Sequence, residues 1–284
     1  MDTPTKEEFR KGVEEFEEHE KRDAMYKVAT FLVSRFWGKP SDMADGLGVL
    51  LLTWNQAFYR YGIFDFDKLE KCITDNFPKI ENFKRRDISS LSSTDEDDIK
   101  DLFTKFLEAL QIDTIRFSNR NRKRETKKNL EDFLRETGIA WEDSDNLETL
   151  YSSIKDNQTI KKAVRFISKE ESNSKKDYVE IKISKLESKE AKTLESLRLI
   201  RRSPVSVTKT LHLLAPKFFP LWDDKIARAY GCYYRENRDE KYISFCKITK
   251  TIAERVRNYI DRPDKTLIKL IDEYNYSKYT RRWI

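Results

Sequence analysis

Lys209 and Asp223 are the two residues whose types and surroundings could do chemistry together. They lie 14 residues apart within the run SPVSVTKTLHLLAPKFFPLWDDKIARAYG, at the ends of two consecutive short helical patterns. Pro204-Val205-Ser206-Val207 reads as a turn entering a helix, and Val207, Leu211, Leu214 and Ala215 form its buried stripe. Lys209 lies about 200° round the wheel from Val207, off that stripe. Pro216 ends the helix, and an apolar rise through Phe218, Phe219, Leu221 and Trp222 leads to Asp223, which reads as the N-cap of a second helix closed by Gly231. An amine can attack an electrophilic carbon, and a carboxylate held by helix N-terminal amides is favoured in its ionised form and can stabilise a developing cation. The plainer alternatives are a solvated lysine among 56 Lys and Arg, and an aspartate that only caps.

The same residues carry a resemblance. Pro204-Val205-Ser206-Val207-Thr208-Lys209-Thr210 resembles the L-P-G-V-G-x-K-T-A hairpin of the helix-hairpin-helix DNA glycosylase superfamily, and Phe219-Pro220-Leu221-Trp222-Asp223-Asp224-Lys225-Ile226 is similar to its F-P-I-x-D-x-x-V segment. The resemblance implies an enzyme that flips out and excises a damaged or modified base, with Lys209 as nucleophile, Asp223 as catalytic carboxylate, and AP-lyase activity as in the endonuclease III-like and 8-oxoguanine glycosylases. Val205 and Val207 stand where the family has two glycines whose amides approach the DNA backbone. Leu51-Leu52-Thr53-Trp54-Asn55-Gln56 is similar to the L-L-S-x-Q-T stretch whose glutamine lies in the DNA cleft, a place that Asn55 or Gln56 would take here. The candidates to stack on the base are Trp54, Phe58 and Trp222, each of which also fits a plain core position.

Composition narrows the partners and cofactors. With 37% charged residues, 38% hydrophobic and only 7 Gly and 7 Pro, the chain reads as mainly helical with strongly solvated surfaces. A net charge of +6 permits a polyanion partner, here double-stranded DNA, without demanding one. Cys72, Cys232 and Cys246 are too few for a four-cysteine iron–sulfur cluster, and with only His19 and His212 a metal centre lacks soft ligands, so no cofactor is expected. An odd set of widely spaced cysteines, a charged N-terminus and the lack of a run of about 18 apolar residues point to a cytoplasmic protein off the membrane, on the nucleoid in a prokaryote; a monomer is expected.

The elements that must position the pair follow in order. One or two amphipathic helices fill 4–36, an apolar helix 41–61, a short helix Asp67–Phe77 stopped by Pro78, and a capped helix from Ser93 to Leu110. Seven basic groups crowd into Arg116–Lys128, among them Arg120, Arg122, Lys123 and Arg124, a solvated linker or a phosphate-tracking surface. Helices are expected at 127–137, 146–156 and 159–169, a small strand near Tyr178–Ile183, and helices at 188–202, 239–260 and in the tail from 266. The expected architecture is all-α in the main, with a helix-hairpin-helix motif, a minor strand and two helical lobes flanking a cleft. Residues 41–215 would form the barrel lobe, and 1–40 with 216–284 the second. A non-catalytic helical protein using the hairpin as a phosphate clamp is the rival reading.

Overall fold

A computed structural model describes residues 3–21, 23–59, 62–117, 132–139, 151–152, 154–155, 157, 160–168, 178–197 and 200–284. Among the described residues the fold is mainly α-helical with one small three-stranded sheet. The N-terminal pattern resolves into two helices, α1 (Lys6–His19) and α2 (Asp23–Arg35). Thr5 caps α1 by accepting from the Glu8 amide at 3.2 Å. Next come α3 (Pro40–Trp54), α4 (Phe66–Lys84) and α5 (Glu96–Ala109). Pro78 does not stop α4, which continues to Lys84 because Ile80 and Phe83 beyond it are buried. Phe83 packs on Phe218 and Phe219 at 4.7 and 5.0 Å between centroids, and that burial offsets the lost hydrogen bond.

The chain groups into two units, one of Met1–Gln56, Phe66–Leu110 and Ser203–Ile284, the other of Ala57–Asp65 and Gln111–Arg202. This division differs from the expected 41–215 against 1–40 plus 216–284, and it gathers Lys209 and Asp223 into one unit. The second unit holds the sheet, ordered β1 (Thr114–Phe117), β3 (Tyr178–Lys182), β2 (Val164–Ile167), all antiparallel. β3 was legible from its alternation. β2 replaces part of the helix expected at 159–169, since Val164–Ile167 pairs with β3 from Val164 opposite Ile181 to Ile167 opposite Tyr178. Pairing along an edge overrides local helical propensity there. Val179, Ile181, Ile183 and Leu194 of α6 (Ser188–Ser196) share this unit's core with Phe133, Leu134, Ile154 and Ile160.

The first unit is completed by α7 (Pro204–Leu214), α8 (Asp224–Ala229), α9 (Arg238–Val256) and α10 (Leu267–Asn275), which runs into a π-helical turn over Tyr276–Arg281. The stripe Val207, Leu211, Leu214 and Ala215 is wholly buried. Gly231 ends α8 at φ +67°, its amide bonding to Arg228 O at 3.1 Å and that of Cys232 to Ala227 O at 2.8 Å, a Schellman closure. Gly12 lets α1 approach α10: a Cβ there would lie 2.8 Å from the Tyr274 ring, and the Ser277 hydroxyl donates to Gly12 O at 2.7 Å.

His212, on the inner side of α7, is fully enclosed. Its Nδ1–H donates to Phe219 O at 2.8 Å, which leaves Nε2 to accept from the Tyr26 hydroxyl at 2.8 Å. Burial pushes the imidazole pKa from 6.5 down to about 4. Folding therefore favours the neutral ring, and the stability it contributes above pH 6.5 is lost as pH falls through about 4. Thermal melts from pH 7 to pH 4 should show wild type losing its advantage over His212→Gln on acidification; a constant difference would contradict the assignment.

Candidate functional site

The pocket of interest is built entirely from the first unit. It is open to solvent on one side. Its wall comprises Phe16 and Glu20 near the end of α1, Trp54 at the end of α3, Lys209 on α7, Leu221-Trp222-Asp223 ahead of α8, Asp272 on α10 and Tyr276 on the π turn. Four aromatic side chains thus surround one amine and three carboxyl groups.

Lys209 is half-buried, and its Nζ donates to the Trp54 carbonyl at 3.0 Å, lying 5.7 Å from the Trp54 ring. A carbonyl in the last turn of α3 is a negative helix end, which suits a cation. Asp223 does cap α8, with Oδ1 accepting from the Ile226 amide at 2.7 Å. Its Oδ2 accepts from the Thr280 hydroxyl at 2.6 Å, so the π turn holds the oxygen that the helix does not use. Lys225 Nζ steadies that turn by donating to Thr280 O at 2.8 Å. The π turn departs from regular α-helix bonding at the end of α10, and it places Tyr276 in the pocket wall and Thr280 against Asp223.

Behind the wall lies Lys269, 1% exposed. Its Nζ sits 3.3 Å from Asp23 and from Glu273 and 3.5 Å from Asp272, with the rings of Phe16, Tyr26 and Trp54 at 4.2, 4.8 and 5.4 Å. Burial alone would depress its pKa, but Asp272, Glu273 and Asp23 hold it above the usual lysine range. Asp272 moves the opposite way for a carboxyl. Burial, helped by the charges of Glu273 and Asp223 and opposed by Lys269 and Lys209, raises it from 3.8 to about 6. Glu20 accepts from the Tyr276 hydroxyl at 2.8 Å and faces Arg281 at 3.8 Å.

The other candidates fall elsewhere. Trp222 is in the wall but is 1% exposed and packs on Tyr234, Tyr242 and Phe245, so it serves the core as well. Asn55 does not face the pocket contents; its Nδ2 donates to Ser203 Oγ at 3.0 Å and Ser206 Oγ at 2.8 Å, fastening α3 to the start of α7. Gln56 is exposed and outside the pocket wall. Phe58 belongs to the second unit, where it lies against Tyr59 and Arg201. Val205 and Val207 sit inside the first turn of α7, not in an open hairpin. Val207 is fully buried and its amide returns to Ser203 O at 3.3 Å, so that amide is already engaged within the helix. Arg120, Arg122, Lys123 and Arg124 lie outside the described residues. Among the described residues no group of three or more His, Cys, Asp or Glu is arranged to hold a metal ion.

Sequence reasoning missed Phe16, Glu20, Leu221, Asp272, Tyr276 and the supporting Lys269 and Thr280. A weak signal existed for two of them: Lys269 and Asp272, with Glu273, interrupt an otherwise apolar helix at i, i+3 and i+4. Removing Lys269 would leave the buried Asp272 without its close counter-ion and take one of two ammonium partners from Glu273 and Asp23, which keep Lys265 and Lys27. Lys269→Met should therefore destabilise the fold by about 3–5 kcal/mol, read as a lower urea midpoint at unchanged slope. A midpoint within error of wild type would show that the cluster carries no such constraint. No protein-family model matches the chain, and no curated protein or solved structure is significantly similar to it.

Proposed function

We propose that this chain is a DNA glycosylase with an associated lyase activity, in which a base flipped out of the duplex enters the pocket, Lys209 attacks the anomeric carbon and Asp223 stabilises the sugar as it becomes cationic. The observation that carries the reading is that the Lys209 amine and the Asp223 carboxylate open onto one aromatic pocket. Trp54 and Tyr276, both partly exposed, supply π surface for a planar heterocycle, backed by the buried rings of Phe16 and Trp222, which helps repay the few kcal/mol of unstacking.

The roles follow from the contacts. Asp223 accepts on both oxygens, from a helix amide and a hydroxyl, so its charge is set in place before a sugar arrives. Lys209 must leave the Trp54 carbonyl and lose a proton to become nucleophilic. Its nitrogen then bonds to C1′ as the C1′–base bond breaks with its electron pair going to the base. Opening of the sugar ring gives a Schiff base. The rival reading, a hairpin serving as a phosphate clamp, has less support, because the Val207 amide it would use is already engaged within α7.

Borohydride traps the Schiff base as a stable amine. Wild type should yield a covalent protein–DNA adduct on abasic or base-modified duplex, and Lys209→Gln should yield none. An adduct at wild-type level in that variant would place the attacking amine elsewhere. Asp223→Asn keeps most of the cap, so the melting temperature should hold while base release drops by roughly 10²–10³-fold. Lower melting with undiminished release would reduce Asp223 to a cap.

A further inference from the structure

Breaking a glycosidic bond leaves negative charge on the departing base, and a proton delivered to it speeds the step by roughly 10²–10⁴-fold. An acid placed for that delivery must face the bound base and hold a proton when needed. Asp223 accepts on both of its oxygens and works as an anion, while Lys209 must be a neutral amine to attack. Glu20 is occupied as an acceptor for Tyr276 and lies across from Arg281. Asp272 is the remaining acid in the wall, 8% exposed and fixed from behind by Lys269 at 3.5 Å.

We propose that Asp272 is the general acid that protonates the departing base. The inference rests on the glycosylase reading. In the step, the Lys209 nitrogen bonds to C1′, the C1′–N bond to the base breaks with both electrons going to the base, and the Asp272 carboxyl proton passes to a base ring nitrogen. A neutral base leaves and Asp272 becomes a carboxylate, to be reprotonated from solvent through the open mouth of the pocket. The charged surroundings suit this cycle. On its own helix Asp272 faces Lys269 and Glu273, α2 brings Asp23 and Tyr26 to the same lysine, and Glu20, Asp223 and Lys209 lie round the pocket. The excess of carboxyl groups over amines makes a second buried anion costly, in line with the rise of Asp272 to about 6.

A base that is already cationic provides the control, because N7-methylguanine departs neutral without an added proton. Single-turnover release is measured on duplexes carrying either N7-methylguanine or one of a panel of neutral modified bases, together with borohydride trapping on a preformed abasic duplex, where no base departs. Asp272→Asn should slow release of the neutral base by roughly 10²–10⁴-fold while N7-methylguanine release and abasic trapping fall by less than about tenfold. Wild-type release of the neutral base should decline as pH rises above about 6, with no such limb for the cationic base. Equal losses on both substrates would make Asp272 structural and overturn the proposal, as would undiminished neutral-base release or a wild type that releases cationic bases alone. If the variant does not fold, the wild-type pH profiles decide: a shared limb on both substrates overturns it. A wild type that traps no adduct and releases no base defeats the glycosylase reading itself, a result distinct from all of these.

Discussion

A buried ammonium that must be neutralised organises this molecule. Lys269 is surrounded by Asp23 from α2, Asp272 and Glu273 from its own helix, and the rings of Phe16, Tyr26 and Trp54 from α1, α2 and α3. Removing a charge from water costs several kcal/mol, and only close partners repay it. The four helices are therefore brought to one point by electrostatic need as well as by apolar burial. Glu273 is in turn shared with Lys265, which also reaches Glu17 on α1 at 2.7 Å. The chain's N- and C-terminal helices are joined by charge at a site where a hydrocarbon core would have been cheaper.

That arrangement has a consequence on the pocket side. Phe16, Trp54 and Asp272 belong both to the surroundings of Lys269 and to the pocket wall. The lysine fixes two aromatic surfaces and one acid from behind while leaving the cavity itself free. Asp223 is fixed independently, by its own helix and by Thr280 on the π turn. Two carboxyl groups of the same pocket thus differ in character: Asp223 receives two hydrogen bonds, and Asp272 is buried beside other anions and pushed up to about 6. Divergent environments of this kind are how two acids in one pocket come to serve different steps.

Pocket and core are also the same material in places. Trp222 lies in the wall yet packs on Tyr242 and Phe245, and Tyr242 donates to Pro220 O at 3.0 Å, holding the segment that leads into Asp223. His212 holds the preceding carbonyl, Phe219 O. The apolar rise from Phe218 to Trp222 is thereby pinned at two carbonyls, and the carboxylate that follows it is presented without slack.

By itself the sequence determined what depends on neighbours along the chain. The buried stripe of α7, the cap at Asp223, the stop at Gly231 and the alternation of β3 follow from periodicity and backbone stereochemistry within a few residues, so they were legible. The placing of Lys209 and Asp223 on two consecutive short elements was readable for the same reason, and both line the pocket. Only the tertiary structure decided which distant residues complete the pocket. Asp272 on a tail helix and Glu20 on the first helix look like ordinary solvated acids in the sequence, because burial is set by what packs against them. Pro78 was misread likewise, since the cost of a proline inside a helix is outweighed by the burial of Phe83 against Phe218 and Phe219, residues more than a hundred positions away. That the Asn55 amide reaches two serines at the start of α7 was likewise decided by packing between elements far apart in the chain.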